Sequence, residues 1–142
     1  METAYEQRVR PSERFAGSEH LFDLAASAEG LRMEGDPARD GHRQITLFHE
    51  AGMSAVLFDF EAEGRLSHHE TDGLVTIQTI AGRVDVATPQ TTHGLPAGSL
   101  PVLTPGVVHD LVAPGPSQVL PSVHLPHERG RRPRSAARRR RG

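Results

Sequence analysis

Residues 64–84 read GRLSHHETDGLVTIQTIAGRV, and how this stretch is read decides the fold. The run from Leu74 to Ile80 is rich in aliphatic and β-branched residues and ends at Ala81-Gly82, the signature of a strand closed by a turn. Two adjacent histidines, His68 and His69, stand just ahead of it. Neighbours in an extended strand point to opposite faces, so a regular strand turns only one of the pair inward.

The same period of two continues on both sides. HRQITLFHE, from His42, alternates through Ile45 and Leu47. In SAVLFDFEAEG, Val56, Phe58 and Phe60 share one face while Ala55, Leu57 and Asp59 share the other. AGRVDVAT sets Val84 and Val86 together, and SLPVLTPG, VVHDLVAP and SQVLPSVHL complete the series. Turn signals recur about every ten residues: Ala81-Gly82, Ala97-Gly98, Pro105-Gly106 and Pro114-Gly115-Pro116. Many short strands at that spacing predict an all-β sandwich or barrel. Ahead of them, Ser18 reads as an N-cap, and Leu21, Phe22, Ala25, Ala28 and Leu31 lie near helical spacing, which predicts a short leading helix closed by EGDP.

At 142 residues the chain is long enough for one domain, and aromatics at 4% predict an aliphatic core. The absence of cysteine excludes a disulfide framework, thiolate metal ligands and a cysteine nucleophile. No apolar run approaches the roughly 18 residues of a membrane span, and the N-terminus lacks the apolar segment of a secretory signal, so a cytoplasmic protein without membrane partners is expected. No phosphate loop, Ser-His-Asp order or paired-carboxylate arrangement stands out, so no catalytic residue is assigned.

Charge divides the chain. Residues 1–127 hold eight arginines against 17 acids, a net −9, whereas residues 128–142 hold eight arginines and one acid, a net +7. The expected organisation is a flexible arm at 1–17, a domain with its leading helix at 18–127, and a disordered arginine-rich tail at 128–142. Arginine suits phosphate contacts, but no helix-turn-helix pattern or interleaved aromatics accompany the tail, which argues against a nucleic-acid partner.

The stretch GSLPVLTPGVVHDL, Gly98 to Leu111, matches a glycine, a short strand, Pro-Gly, two residues and a histidine. TIQTIAGRVDV matches the end of a companion motif, with Gly82 as its closing glycine. On these motifs residues 42–125 resemble the cupin superfamily, in particular short single-domain bacterial cupins. The resemblance implies a small β-barrel of jelly-roll type with a short N-terminal helix, and it places His109 at a metal-ligand position.

Seven residues before Gly82, where the family carries a glutamate ligand, this chain has Val75. Two registers then compete for the other ligands. One aligns His69 and Thr71 with the family's ligand pair and leaves His69 and His109 as the only imidazoles. It is preferred, because HHETDG resembles short cupins in which a single histidine is followed by Glu, a small hydroxyl residue and Gly. The other uses His68, Glu70 and His109, a two-histidine, one-carboxylate set suited to non-haem iron chemistry. A divalent ion (Fe, Mn, Ni or Zn) is therefore expected to be weakly held or absent.

The expected function is a cupin-domain protein that binds a small molecule within the barrel. His69, Thr71, Val75, Ile77, Phe58, Phe60 and His109 form its pocket. The alternative is a metal-dependent cupin enzyme of oxygenase, isomerase or cyclase type using the carboxylate-containing set. Sheets with open edges need cover, so a homodimer is expected.

Overall fold

The computed structural model describes residues 18–35 and 38–126. The expected arm at 1–17, His127 and the basic tail at 128–142 lie outside the described residues. Among the described residues one helix, α1 (Leu24–Arg32), precedes nine strands. They are β1 (His42–Glu50), β2 (Met53–Phe60), β3 (Gly64–His69), β4 (Leu74–Ala81), β5 (Arg83–Ala87), β6 (Thr92–Pro96), β7 (Val102–Leu103), β8 (His109–Ala113) and β9 (Ser117–His124). They form two antiparallel sheets, β1-β2-β9-β4-β7 and β3-β8-β5-β6, in the jelly-roll manner expected.

The helix starts later than its sequence pattern predicts. Asp23, not Ser18, is the N-cap: its Oδ1 accepts the Ala26 N–H at 3.0 Å. A carboxylate placed to satisfy a first-turn amide sets the start, and the residues before it stay outside the helix. Leu21 is accordingly 75% exposed, and Ala25 also faces solvent. Only Ala28 and Leu31 of the helix are buried, against Ile45, Leu47 and Leu57 on the outer face of β1 and β2.

The helix explains why β2 is covered on both sides. Ala55 and Leu57 face outward, while Phe58 and Phe60 belong to the cluster between the sheets. That inner cluster also contains Val75, Ile77, Val84, Val86, Leu111 and Val119. Burial of each such side chain is worth about 1.5–3 kcal/mol, so the inner face dominates the adhesion of the two sheets.

Backbone turns fix the ends of the inner strands. Gly82, between β4 and β5, has φ 78, and a Cβ there would lie 2.5 Å from both the Pro116 carbonyl oxygen and Ser117 Oγ. The Ala51-Gly52 loop between β1 and β2 has φ 55 and 79, the left-handed pair that matches strand twist in a two-residue hairpin. Its register sets His49 opposite Ser54. The sequence pattern did not mark β6 as a strand, since THGLP has no clean alternation; it pairs with β5 through Arg83 to Ala87.

Candidate functional site

His109 reaches the inner face by regular means. Thr104-Pro105-Gly106-Val107 forms a turn in which Gly106 has φ 86, the left-handed value that favours glycine. The Val107 N–H donates to the Thr104 carbonyl at 3.4 Å, and the Gly106 N–H donates to the Thr71 carbonyl at 2.9 Å. β8 then starts at His109 and alternates inward through Leu111 and Ala113. The imidazole is 2% exposed. Its Nδ1–H donates to the Val107 carbonyl at 3.0 Å. A carbonyl only accepts, so in the neutral ring Nε2 carries the lone pair.

His69 arrives by an irregular route. Leu66 pairs with Leu111 and His69 pairs with His109, so three steps along β3 match two along β8. The extra residue makes a β-bulge. His68 occupies it at φ 57, and its N–H donates to Asp110 Oδ1 at 2.5 Å. Plain alternation from Leu66 would have turned His68 inward. The bulge resets the parity, turning His69 inward and leaving His68 exposed.

The two imidazoles meet. His69 Nδ1 and His109 Nε2 lie 3.3 Å apart, with ring centroids at 5.1 Å and planes at 78°. Because His109 Nε2 holds the lone pair, the neutral pair has His69 Nδ1–H donating to it. His69 Nε2 then carries a lone pair of its own. Partial burial, and secondarily the neighbouring His109, push the His69 pKa below the ordinary imidazole value.

The pair borders a cavity of about 350 Å³. Val75, Ile77, Phe58 and Leu111 form much of its apolar wall, and Val56 and Val123 are only partly buried beside it. Of the expected pocket residues, His69, Val75, Ile77, Phe58 and His109 line this space. Thr71 does not: its hydroxyl bonds locally, donating to the Gly73 carbonyl at 3.1 Å and accepting the Gly73 N–H at 3.0 Å. Phe60 does not either. It borders a separate hollow at the other end of β2, beside Asp59, Arg32, Arg43 and Gln118. There burial raises the Asp59 pKa, opposed by Arg32 first among its neighbours.

Sequence reasoning missed Gln44, Ser54, Leu66, Pro121 and Val123 as lining residues. Ser54 shares the inward parity of Val56 and Phe58, and Pro121 and Val123 share that of Val119, so alternation could have found all three. Gln44 gave no apolar signal, and the bulge after Leu66 conceals its relation to His69.

The donor set fits only in part the metal that the cupin resemblance implies. Two features suit an ion. The 3.3 Å nitrogen separation is near the roughly 3.4 Å that two ligands of a tetrahedral zinc ion show, and His109 is oriented by a backbone carbonyl as ligating histidines are. The remainder does not suit one. Val75 offers no donor, Thr71 Oγ1 is committed to Gly73, and Glu70 is exposed. Among the described residues no three His, Cys, Asp or Glu side chains converge, so His68, Glu70 and His109 are not assembled into a ligand set. Two imidazoles fall short of the three protein ligands that catalytic zinc sites use.

Comparison with known proteins places the fold. No protein-family model matches the chain, and no curated protein matches it. Solved structures do. A conserved protein of unknown function from Streptococcus pyogenes is 20% identical with a TM-score of 0.62, covering 78% of this chain and 90% of that one. A cupin superfamily protein from Desulfitobacterium hafniense is 15% identical with a TM-score of 0.60, covering 70% of this chain and 87% of that one. Salicylate 1,2-dioxygenase from Pseudoaminobacter salicylatoxidans, solved as adducts with gentisate, is 18% identical with a TM-score of 0.59. The match covers 71% of this chain and 30% of the dioxygenase. The chain has the cupin fold.

Proposed function

We propose that this cupin-fold protein binds a small, largely apolar organic molecule in the inner cavity, with the His69–His109 pair as its polar contact. One observation carries the reading: a hollow of about 350 Å³ whose floor is Val75, Ile77, Phe58 and Leu111 holds an imidazole pair at its edge. That volume falls in the range of small-molecule sites, and an apolar surround with few convergent polar groups is their usual composition. The His69 Nε2 lone pair calls for a hydrogen-bond donor on the ligand, such as a hydroxyl.

Phenol is a suitable probe. Its addition is expected to shift the methyl NMR resonances of Val75, Ile77, Val123 and Leu111 while leaving Ile45, Leu47 and Leu57 under the helix unmoved. Shifts confined to the outer cluster, or none at either, would overturn the reading.

A second reading, a metal-dependent enzyme, draws support from the 3.3 Å nitrogen separation and from the Val107 carbonyl that orients His109. It needs donors beyond the two imidazoles. A second copy of the chain is the proposed protein partner, since the edge strand β7 and its approach expose Val102 and Leu100. Light scattering is expected to give twice the chain mass, and a monomer at 100 μM would remove that proposal.

A further inference from the structure

The cavity has a second polar end. Ser54 lines it from β2, and across the Ala51-Gly52 hairpin the Ser54 hydroxyl and His49 Nδ1 share a hydrogen bond of 2.5 Å. Ser54 pairs with Val123 on β9, and Val123 pairs with Val75 on β4. These three residues therefore stand side by side on three adjacent strands. At about 4.8 Å per strand, Ser54 sits about 10 Å from Val75 across the inner face. Val75 and the imidazole pair border the same hollow as Ser54, and Val123, Val56, Pro121 and Ile77 line it with apolar surface; Gln44, paired with Phe58 on β1, is the other polar side chain of the lining.

This arrangement has a chemical meaning. His49 meets part of the hydrogen-bonding capacity of the Ser54 hydroxyl, and covering the remainder with an apolar group would forfeit its hydration, so a second polar group on the ligand is favoured there. The hairpin fixes His49 opposite Ser54, and the bond between them holds the Ser54 oxygen in place, so little side-chain freedom is left for a ligand to remove.

We propose that Ser54, oriented by His49, is a second binding contact, and that the ligand is a two-ended molecule: an apolar body with one hydrogen-bonding group for His69 and another for Ser54. This rests on the small-molecule reading of the cavity and adds its substrate class. The cavity has room for about a dozen water-sized atoms, which fits a short chain or a single ring with polar groups at opposite ends.

The test is a length series. 1-Butanol to 1-decanol and the matching α,ω-diols are titrated into the full chain, with the Val75, Ile77 and Val123 methyls followed by NMR. A hydroxyl that finds no partner weakens binding, so a diol binds more tightly than its alkanol only when both ends are met. The expected result is a diol preference of about threefold to tenfold, confined to intermediate lengths. Ser54→Ala is expected to abolish the preference and Ser54→Thr, which keeps the hydroxyl, to retain it. Alkanols that bind while every diol binds more weakly would overturn the two-ended ligand and leave the small-molecule reading standing. A preference that survives Ser54→Ala would overturn the role of Ser54. Failure of alkanols and diols alike to shift these methyls would overturn both.

Discussion

The two histidines of the inner cavity reach it by opposite means. His109 begins a regular strand after a Pro-Gly turn, is almost wholly buried, and is held by a carbonyl two residues before it. His69 ends a strand that breaks its own alternation, is only partly buried, and depends on a neighbour at φ 57 tied to Asp110. One imidazole is placed by turn chemistry and the other by a bulge. The first should therefore act as part of the fold and the second as an adjustable part of the site.

The largest expected effect is at His109. His109→Ala removes a buried ring, opens a void beside Leu111 and strands the Val107 carbonyl, and it should cost about 2–4 kcal/mol in urea unfolding. His69→Ala should cost about 1 kcal/mol or less, because its ring is already partly solvated. Equal costs would erase the distinction between the two.

Next comes the bulge. Asp110→Ala removes the acceptor for the His68 N–H and should cost about 1–2 kcal/mol. It should also loosen His69 while leaving His109 in place. Imidazole NMR would show the His69–His109 contact broadened or lost in that variant. At His68 itself, a β-branched residue fits the left-handed backbone poorly, so His68→Val should destabilise by about 1 kcal/mol, whereas His68→Gly should be neutral or slightly stabilising. If both substitutions behaved alike, the bulge would not be under conformational strain.

The smallest effect is on pH dependence. The His69 pKa is lowered in the folded state, so below the ordinary imidazole value near 6.5 the unfolded chain takes up a proton that the folded chain resists. Stability contributed by the neutral ring is present above that pH and is lost as pH falls. The urea midpoint should decline between pH 7.5 and 5.5, and less steeply in His69→Gln. An unchanged slope in that variant would place the pH sensitivity elsewhere.

The same contrast explains what the sequence disclosed. Pro105-Gly106 and the alternation after it announce His109, because a turn type and a period of two are written in local residues. The inward set Val56, Phe58, Val75 and Ile77 was legible for the same reason. Counting back from Gly82 left two registers open, and His69 was preferred over His68 only through the resemblance of HHETDG to short cupins, since alternation along β3 points to the wrong ring. The bulge depends on a pairing with β8 some 40 residues away, and no local pattern records it. The helix start shifted because two capping residues, Ser18 and Asp23, compete within five positions, and within the helix burial against β1 and β2 is complete only at Ala28 and Leu31, with Leu24 and the preceding Phe22 partly packed beside them. Alternation with Val56 and Phe58 places Ser54 on the inner face, but a single small polar residue there gives no sign of a role until the hairpin brings His49 against it.

Elemental analysis of protein purified without chelator tests most directly whether this pair of rings serves an organic ligand rather than a catalytic ion. Well under one Fe, Mn, Ni or Zn ion per chain is expected. One ion per chain, lost on His69→Ala, would contradict it.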